Sequence, residues 1–274
     1  MLDIRNAVKV FEKGTPIEHT ALNNLNLHLE PGEFVTVIGS NGAGKSTLFN
    51  AVCGTFLLNR GRIFLDGQDI TYLPEHVRAR TIGRVFQDPM KGTAPHMTIE
   101  ENLSLAHSRS TARALSFAPA KKEIALFRDR LSEFRMGLED RMKTKVGLLS
   151  GGQRQAVTLL MCTIVPPKLL LLDEHTAALD PATAEQVMDI TKKTVEAYRL
   201  TTMMITHNIS QALTTGTRTV MMDEGEILFD MSGTDRARTT VDDLMRMYST
   251  SRKKELDNDR MLLKKDKEYA LSPM

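Results

Sequence analysis

Tryptophan is absent from this 274-residue chain, cysteine occurs twice, and aromatic residues make up only 5%. Cys53 and Cys162 lack metal-ligand spacing and are too few for a disulfide framework, so a reducing, cytosolic setting is expected. No apolar run approaches the roughly eighteen residues that a membrane span needs. Met1-Leu2-Asp3-Ile4-Arg5 opens without the apolar core of a secretory signal. A strong charge of either sign is also missing. Lys and Arg total 36 against 34 Asp and Glu, and the net charge of +2 is too balanced to argue for nucleic acid. Hydrophobic residues make up 41%, which supports one large domain or one domain with appendages. The sixteen methionines suit a plastic core better than a binding surface.

The most informative stretch is Gly39-Ser40-Asn41-Gly42-Ala43-Gly44-Lys45-Ser46-Thr47, which fits the phosphate-binding pattern G-x-x-x-x-G-K-[ST]. Phe34–Ile38 before it is a short apolar, β-branched run and predicts a buried strand. Leu48–Cys53 after it continues as a helix until Gly54. Glycines at 42 and 44 let successive N–H groups converge on an anion, and the helix start aims its own N–H groups and dipole at the same point. Lys45 supplies a charge for the β- and γ-phosphates, and Ser46 a hydroxyl for Mg²⁺. The stretch therefore predicts a nucleoside-triphosphate site.

Along the chain, residues 1–11 and 22–29 alternate apolar and polar and predict antiparallel strands around a loop at 13–20. Pro31-Gly32 turns the chain into the strand at 34–38. Gly61–Leu65 with Asp66-Gly67 predicts a strand and tight turn, and Ile82–Phe86 a short buried strand ending at Gln87-Asp88-Pro89. Residues 97–135 turn helical, with a capping box at Thr98 and Glu101 and one face formed by Ile124, Phe127, Leu131 and Phe134. Ser150 and Gln153 form a second capping box, and Pro166-Pro167 closes that helix. Residues 89–165 are thus predicted to be a helical insertion in an α/β core.

Four leucines, Leu169–Leu172, run into Asp173-Glu174, the continuous apolar pattern of a central parallel strand. An Asp there can hold Mg²⁺ from the side opposite Ser46. Glu174, one residue on, is placed to polarise an attacking water. Asp180-Pro181 caps the next helix, whose inner face is Val187, Ile190, Thr194 and Tyr198. Met203–Thr206 is a strand ending at His207, and strand ends line the ligand crevice of doubly wound sheets. Thr219–Met222 and Glu226–Phe229 predict a hairpin. From Val241 the chain is charge-dense, and 251–268 mixes both signs, as in a solvated helix or a partly disordered tail.

Taken together, these residues resemble the ATP-binding subunits of ABC transporters over residues 1–235. The matching pieces are the P-loop (39–46), the glutamine loop Val85-Phe86-Gln87-Asp88-Pro89 and the signature Leu149-Ser150-Gly151-Gly152-Gln153. Walker B (Leu169–Glu174), the D-loop Ala178-Leu179-Asp180 and His207 complete the set. The resemblance implies an ATPase with a P-loop NTPase core, a mostly parallel sheet with flanking helices. It adds an N-terminal antiparallel β subdomain and an inserted α-helical subdomain, within a domain at 1–240 followed by a charged helical tail at 241–274. It assigns Phe11 to stacking on adenine, and Ser46, Gln87 and Asp173 to Mg²⁺. Glu174, His207 and Lys45 are assigned to catalysis.

The family usually has Pro-Thr-Ser after the Walker B glutamate. Here the stretch is His175-Thr176-Ala177, so His175 either approaches the nucleotide or is a loop substitution without mechanistic weight. The signature implies a second copy, because Ser150–Gly152 is a second phosphate-binding helix end in a chain with one P-loop. In the family each γ-phosphate lies between the P-loop of one subunit and the signature of the other. The resemblance further implies docking on integral-membrane permease subunits at the cytoplasmic face, through residues 88–106 including Met90 and Met97. A substrate-binding protein is the further partner, and no nucleic acid is expected. Residues 169–180 look like an importer subgroup, with amino acids as the candidate cargo and an exporter ATPase as the alternative. Chromosome-maintenance relatives would place long heptads between P-loop and signature, whereas this region carries Pro89, Pro95 and Pro119.

Overall fold

The computed structural model describes residues 1–109 and 120–252, so Pro119 and most of the mixed-charge stretch 251–268 lie outside the described residues. The chain begins with antiparallel strands β1 (Leu2–Phe11) and β2 (His19–Leu29), then β3 (Phe34–Gly39) and helix α1 (Lys45–Cys53). Next come β4 (Arg60–Leu65), β5 (Gln68–Asp69), α2 (Glu75–Arg78) and β6 (Ile82–Val85). Helices α3 (Ile99–Ser108), α4 (Lys121–Ser132) and α5 (Gly151–Thr163) follow before β7 (Leu169–Asp173). The last part runs α6 (Pro181–Tyr198), β8 (Thr201–Ile205), α7 (Ile209–Thr214), β9 (Arg218–Asp223), β10 (Glu226–Ser232), α8 (Gly233–Arg238) and α9 (Val241–Arg252).

Two sheets result. The first has the order β2-β1-β4-β5 with antiparallel neighbours. The second has the order β10-β9-β3-β8-β7-β6, parallel except for the β9–β10 hairpin. All six residues of β3 are buried, as its apolar run requires between two neighbours. In β7, Leu169 and Leu171 enter the core shared with the antiparallel sheet and α1. Leu170 and Leu172 enter the core shared with α3, α4 and α5. A strand covered on both faces needs leucine at every position, and this one has it.

Helix α1 is held at its far end by a residue the pattern did not single out. Arg78 is 2% exposed, and its guanidinium donates to the carbonyls of Ala51 (2.8 Å), Val52 (3.0 Å), Thr71 (2.8 Å) and Leu73 (2.8 Å). The bonds to Ala51 and Val52 meet carbonyls of the last turn of α1, and those to Thr71 and Leu73 tie the helix end to the chain after β5. A cation there also favours the helix dipole. Gly54 stops the helix at φ +82°, and a Cβ on it would stand 2.7 Å from Arg78 Nε.

The C-terminal segment departs from its sequence reading. Over α9 the chain is not fully solvated: Leu244 and Tyr248 are buried and pack with Ile38, Ile209, Ala212 and Met221. Val241, Leu244, Met245 and Tyr248 fall at helical spacing, an apolar stripe hidden among the charges.

Candidate functional site

Parallel pairing puts the carboxyl ends of β3, β6, β7, β8 and β9 along one edge, and the predicted residues follow directly from those ends. Gly39 ends β3, Gln87 lies two residues past β6, Asp173 ends β7, and His207 lies two past β8. Pairing of Asp173 with Ile205, and the Glu174 N–H bond to Ile205 O (3.1 Å), set the β7 and β8 ends level.

The loop from Gly39 to Gly44 turns tightly against β9 and β2. A Cβ on Gly39 would lie 2.2 Å from Met222 O, and one on Gly44 2.4 Å from Ala21 O. Only glycine fits at either point. Gly44 begins α1 with no side-chain cap, and no acidic residue occupies the first turn. A helix start of this kind, with its positive dipole end, suits an anion. Lys45 is 5% exposed, and its ammonium donates to Gly39 O and Ser40 O, both at 2.8 Å. The Ser40 hydroxyl donates to Asp223 Oδ1 (3.2 Å) at the end of β9, and Tyr248 of α9 reaches the same oxygen at 3.4 Å.

Ser46, Gln87 and Asp173 line one cavity of about 620 Å³ with Asn50, Arg84 and Ala178. Hydroxyl, amide and carboxylate oxygens are hard donors and suit Mg²⁺. Among the described residues no cluster of three or more His, Cys, Asp or Glu can hold a metal. A divalent ion here would take its remaining ligands from phosphate and water, the usual habit of Mg²⁺. Beside this cavity Glu174 sits at φ +48° and its carboxylate pairs with His207 Nε2. Arg84, which the sequence reading passed over, donates from Nη2 to Asp173 Oδ2 at 2.7 Å and from Nη1 to Asn50 Oδ1 at 2.6 Å. Its signal was a charge inside the apolar strand Ile82–Val85.

Other predicted residues stand elsewhere. Phe11 and the segment Ser150–Gln153 do not line the cavity. Phe11, at the end of β1, packs edge-on to Phe56 (5.3 Å between centroids) with the Lys9 ammonium 5.0 Å from its ring. Ser150 caps α5 by accepting from the Gln153 N–H, and Gln153 Oε1 accepts from the Ser150 N–H, both at 3.3 Å. A Cβ on Gly152 would lie 2.1 Å from Thr183 Cγ2, so α5 starts hard against the start of α6. Asp180 caps α6 by accepting from the Thr183 N–H at 3.1 Å. Ser150–Gln153 and Asp180 thus form a second cluster with an exposed serine, while Ala178 of the D-loop still lines the cavity.

His175 does not reach the cavity. It is 2% exposed, and its Nε2 lies 3.0 Å from Thr191 Oγ1 on α6. That hydroxyl already donates to Val187 O (2.8 Å), so the ring's Nε2 must be the donor in this contact. Burial pushes its pKa down to about 4. The buried Cys53 and Cys162 are free thiols pushed up to about 11 by burial, which makes them unreactive.

Comparison with known proteins agrees with this geometry. Residues 22–177 match the family model described as "ABC transporter". A tyrosine transport ATP-binding protein of Clostridioides difficile is 42% identical, the match covering 90% of this chain and 98% of the relative. The phosphonates import ATP-binding protein PhnC of Lactococcus lactis is 30% identical, covering 90% and 99%. Among solved structures, the dimeric post-hydrolysis state of the ATP-binding cassette MJ0796 bound to ADP and Pi superposes with a TM-score of 0.73. It is 29% identical, covering 85% of this chain and 98% of that one.

Proposed function

The chain belongs to the ABC transporter family as an ATP-binding, ATP-hydrolysing subunit, and on that premise we propose that it powers uptake of an amino acid through separate permease subunits. The observation that carries the cargo class is the 42% identity, over nearly the full length of both chains, to a protein named for tyrosine transport. Uptake of radiolabelled tyrosine in cells lacking the gene tests it, with a phosphonate as control. Loss of tyrosine uptake alone is expected, and loss of phosphonate uptake alone overturns the cargo assignment.

The proposed mechanism assigns each residue by chemistry. N–H groups of Ser40–Thr47 and the Lys45 ammonium hold the β- and γ-phosphates once Lys45 leaves the carbonyls of Gly39 and Ser40. Ser46, Asp173 and Gln87 would hold Mg²⁺, which supplies charge neutralisation across the phosphates. Glu174 takes the proton of the attacking water, and His207, released from the Glu174 carboxylate, orients that water and the γ-phosphate. Phe11 stacks on adenine. Ser150–Gln153 donates hydrogen bonds to a nucleotide on a second copy, with Asp180 at the same interface, and this supplies transition-state stabilisation from across the dimer.

The residues at 1–240 form the proposed ATPase domain, with 89–165 as its helical insertion. Permease docking is assigned to 88–106. Its support is a cavity of about 390 Å³ lined by Phe86, Lys91, Gly92, Leu105, Ala106 and Met161. Among the described residues no helix is long and apolar enough to cross a membrane. A place on the cytoplasmic face beside membrane subunits, with a substrate-binding protein delivering cargo, completes the proposal.

A further inference from the structure

Arginine inside an apolar strand is expensive unless its charge is partnered, and Arg84 is the one charged residue of β6. Its partners are unusual in their placement. Asn50 stands four residues after Ser46 on α1, hence on the same face one turn below it. Asp173 closes β7. The guanidinium therefore spans from beneath Ser46 to the carboxylate, with bonds of 2.6 Å and 2.7 Å at its two ends. Its plane is backed by the Phe86 ring at 4.7 Å. Both charged side chains are largely shielded, 13% exposed for Arg84 and 14% for Asp173, so the pair is less screened than a surface bridge.

Of the three oxygen donors assigned to the metal, Ser46 and Gln87 are neutral and Asp173 alone brings charge. Arg84 offsets that charge and occupies Oδ2. We propose that Arg84 is a positioning residue for ATP hydrolysis, a built-in counter-ion that orients Asp173 and keeps it from collecting a divalent cation until nucleotide phosphates arrive. The inference rests on Asp173 being a metal ligand. Without the offset, a carboxylate beside a hydroxyl and an amide would bind cations ahead of nucleotide. With it, the site needs the negative charge of the phosphates to become attractive to a cation. Glu75 lines both this cavity and the neighbouring one, as Arg84 does.

Mn²⁺ titration of the full chain without nucleotide, followed by electron paramagnetic resonance, tests the proposal. Arg84→Met is expected to bind Mn²⁺ at least about tenfold tighter than wild type, the scale of one adjacent charge even under water-like screening. Arg84→Gln, which keeps a donor for Asn50, is the second neutral variant and is expected to gain similarly. Arg84→Lys retains the charge and is expected to stay at the wild-type value. The gain should vanish in the double variant Arg84→Met, Asp173→Asn. Neutral variants that bind no tighter than wild type, or a gain that survives Asp173→Asn, overturn the proposal. A separate titration with saturating ADP isolates the premise. If Asp173→Asn leaves Mn²⁺ affinity unchanged there, Asp173 is not a ligand, and the metal assignment falls along with the role of Arg84.

Discussion

Single residues decide the chemistry, and the two that follow Asp173 illustrate opposite uses of burial. Glu174 faces the nucleotide edge and pairs with His207, so its carboxylate is available to a water once that pair opens. Replacing Glu174 with Gln keeps the shape and removes the proposed base. Turnover is expected to fall about a thousandfold while ATP binding persists, within the range for a positioned proton acceptor. Phosphate release and fluorescent-nucleotide binding measure the two separately. His175 instead points into the core and bonds to Thr191 as a neutral donor. Its folded-state pKa of about 4 lies below the ordinary 6.5, so the unfolded chain binds the extra proton first as pH drops. Stability from this group is complete above about pH 6.5 and is lost as pH falls toward 4. Urea unfolding should show wild type losing about 2 kcal/mol more than His175→Asn between pH 7.5 and pH 5. Parallel losses would show that the ring is not held neutral. The sequence left His175 open between these uses because nothing local distinguishes an inward from an outward ring.

At the scale of elements, the legible features were those whose chemistry is local. The glycine spacing of 39–44, the leucine run of 169–172 and the capping boxes at Thr98 and Ser150 each state their structure within a few residues. What escaped were contacts across the fold that belong to no motif. Arg78 caps a helix 24 residues upstream of its own position, counted from Gly54, and Arg84 meets a carboxylate 89 residues away. No spacing rule encodes such pairs. The helix from Val241 was expected, but its packing on the core was not: its apolar stripe is diluted by Asp242, Asp243 and Arg246, so composition spoke louder than period. Because Leu244 is fully buried against Ile38 and Met221, Leu244→Ala should lower stability by about 3 kcal/mol in chemical denaturation. A change under about 0.5 kcal/mol, typical of surface positions, would mean that α9 does not dock in solution. The Tyr248–Asp223–Ser40 contacts place this helix directly behind the phosphate loop, so the same variant is expected to raise the KM for ATP as well.

At the scale of the whole molecule, two helix starts carry the proposed nucleotide contacts, and among the described residues they stand apart. Lys45 begins α1 at the edge of the parallel sheet, whereas Ser150 begins α5 beside Asp180, outside the cavity that Ser46, Gln87 and Asp173 line. Two copies related head to tail would satisfy both ends, each giving a cradle to one nucleotide and a cover to the other. Sedimentation of the slow variant Glu174→Gln with and without MgATP tests this most directly. The account predicts a monomer without nucleotide and a dimer holding two ATP molecules with it, abolished when Ser150 is also replaced by Phe. A chain that stays monomeric with ATP fully bound, or that dimerises just as well with Phe at 150, would contradict it.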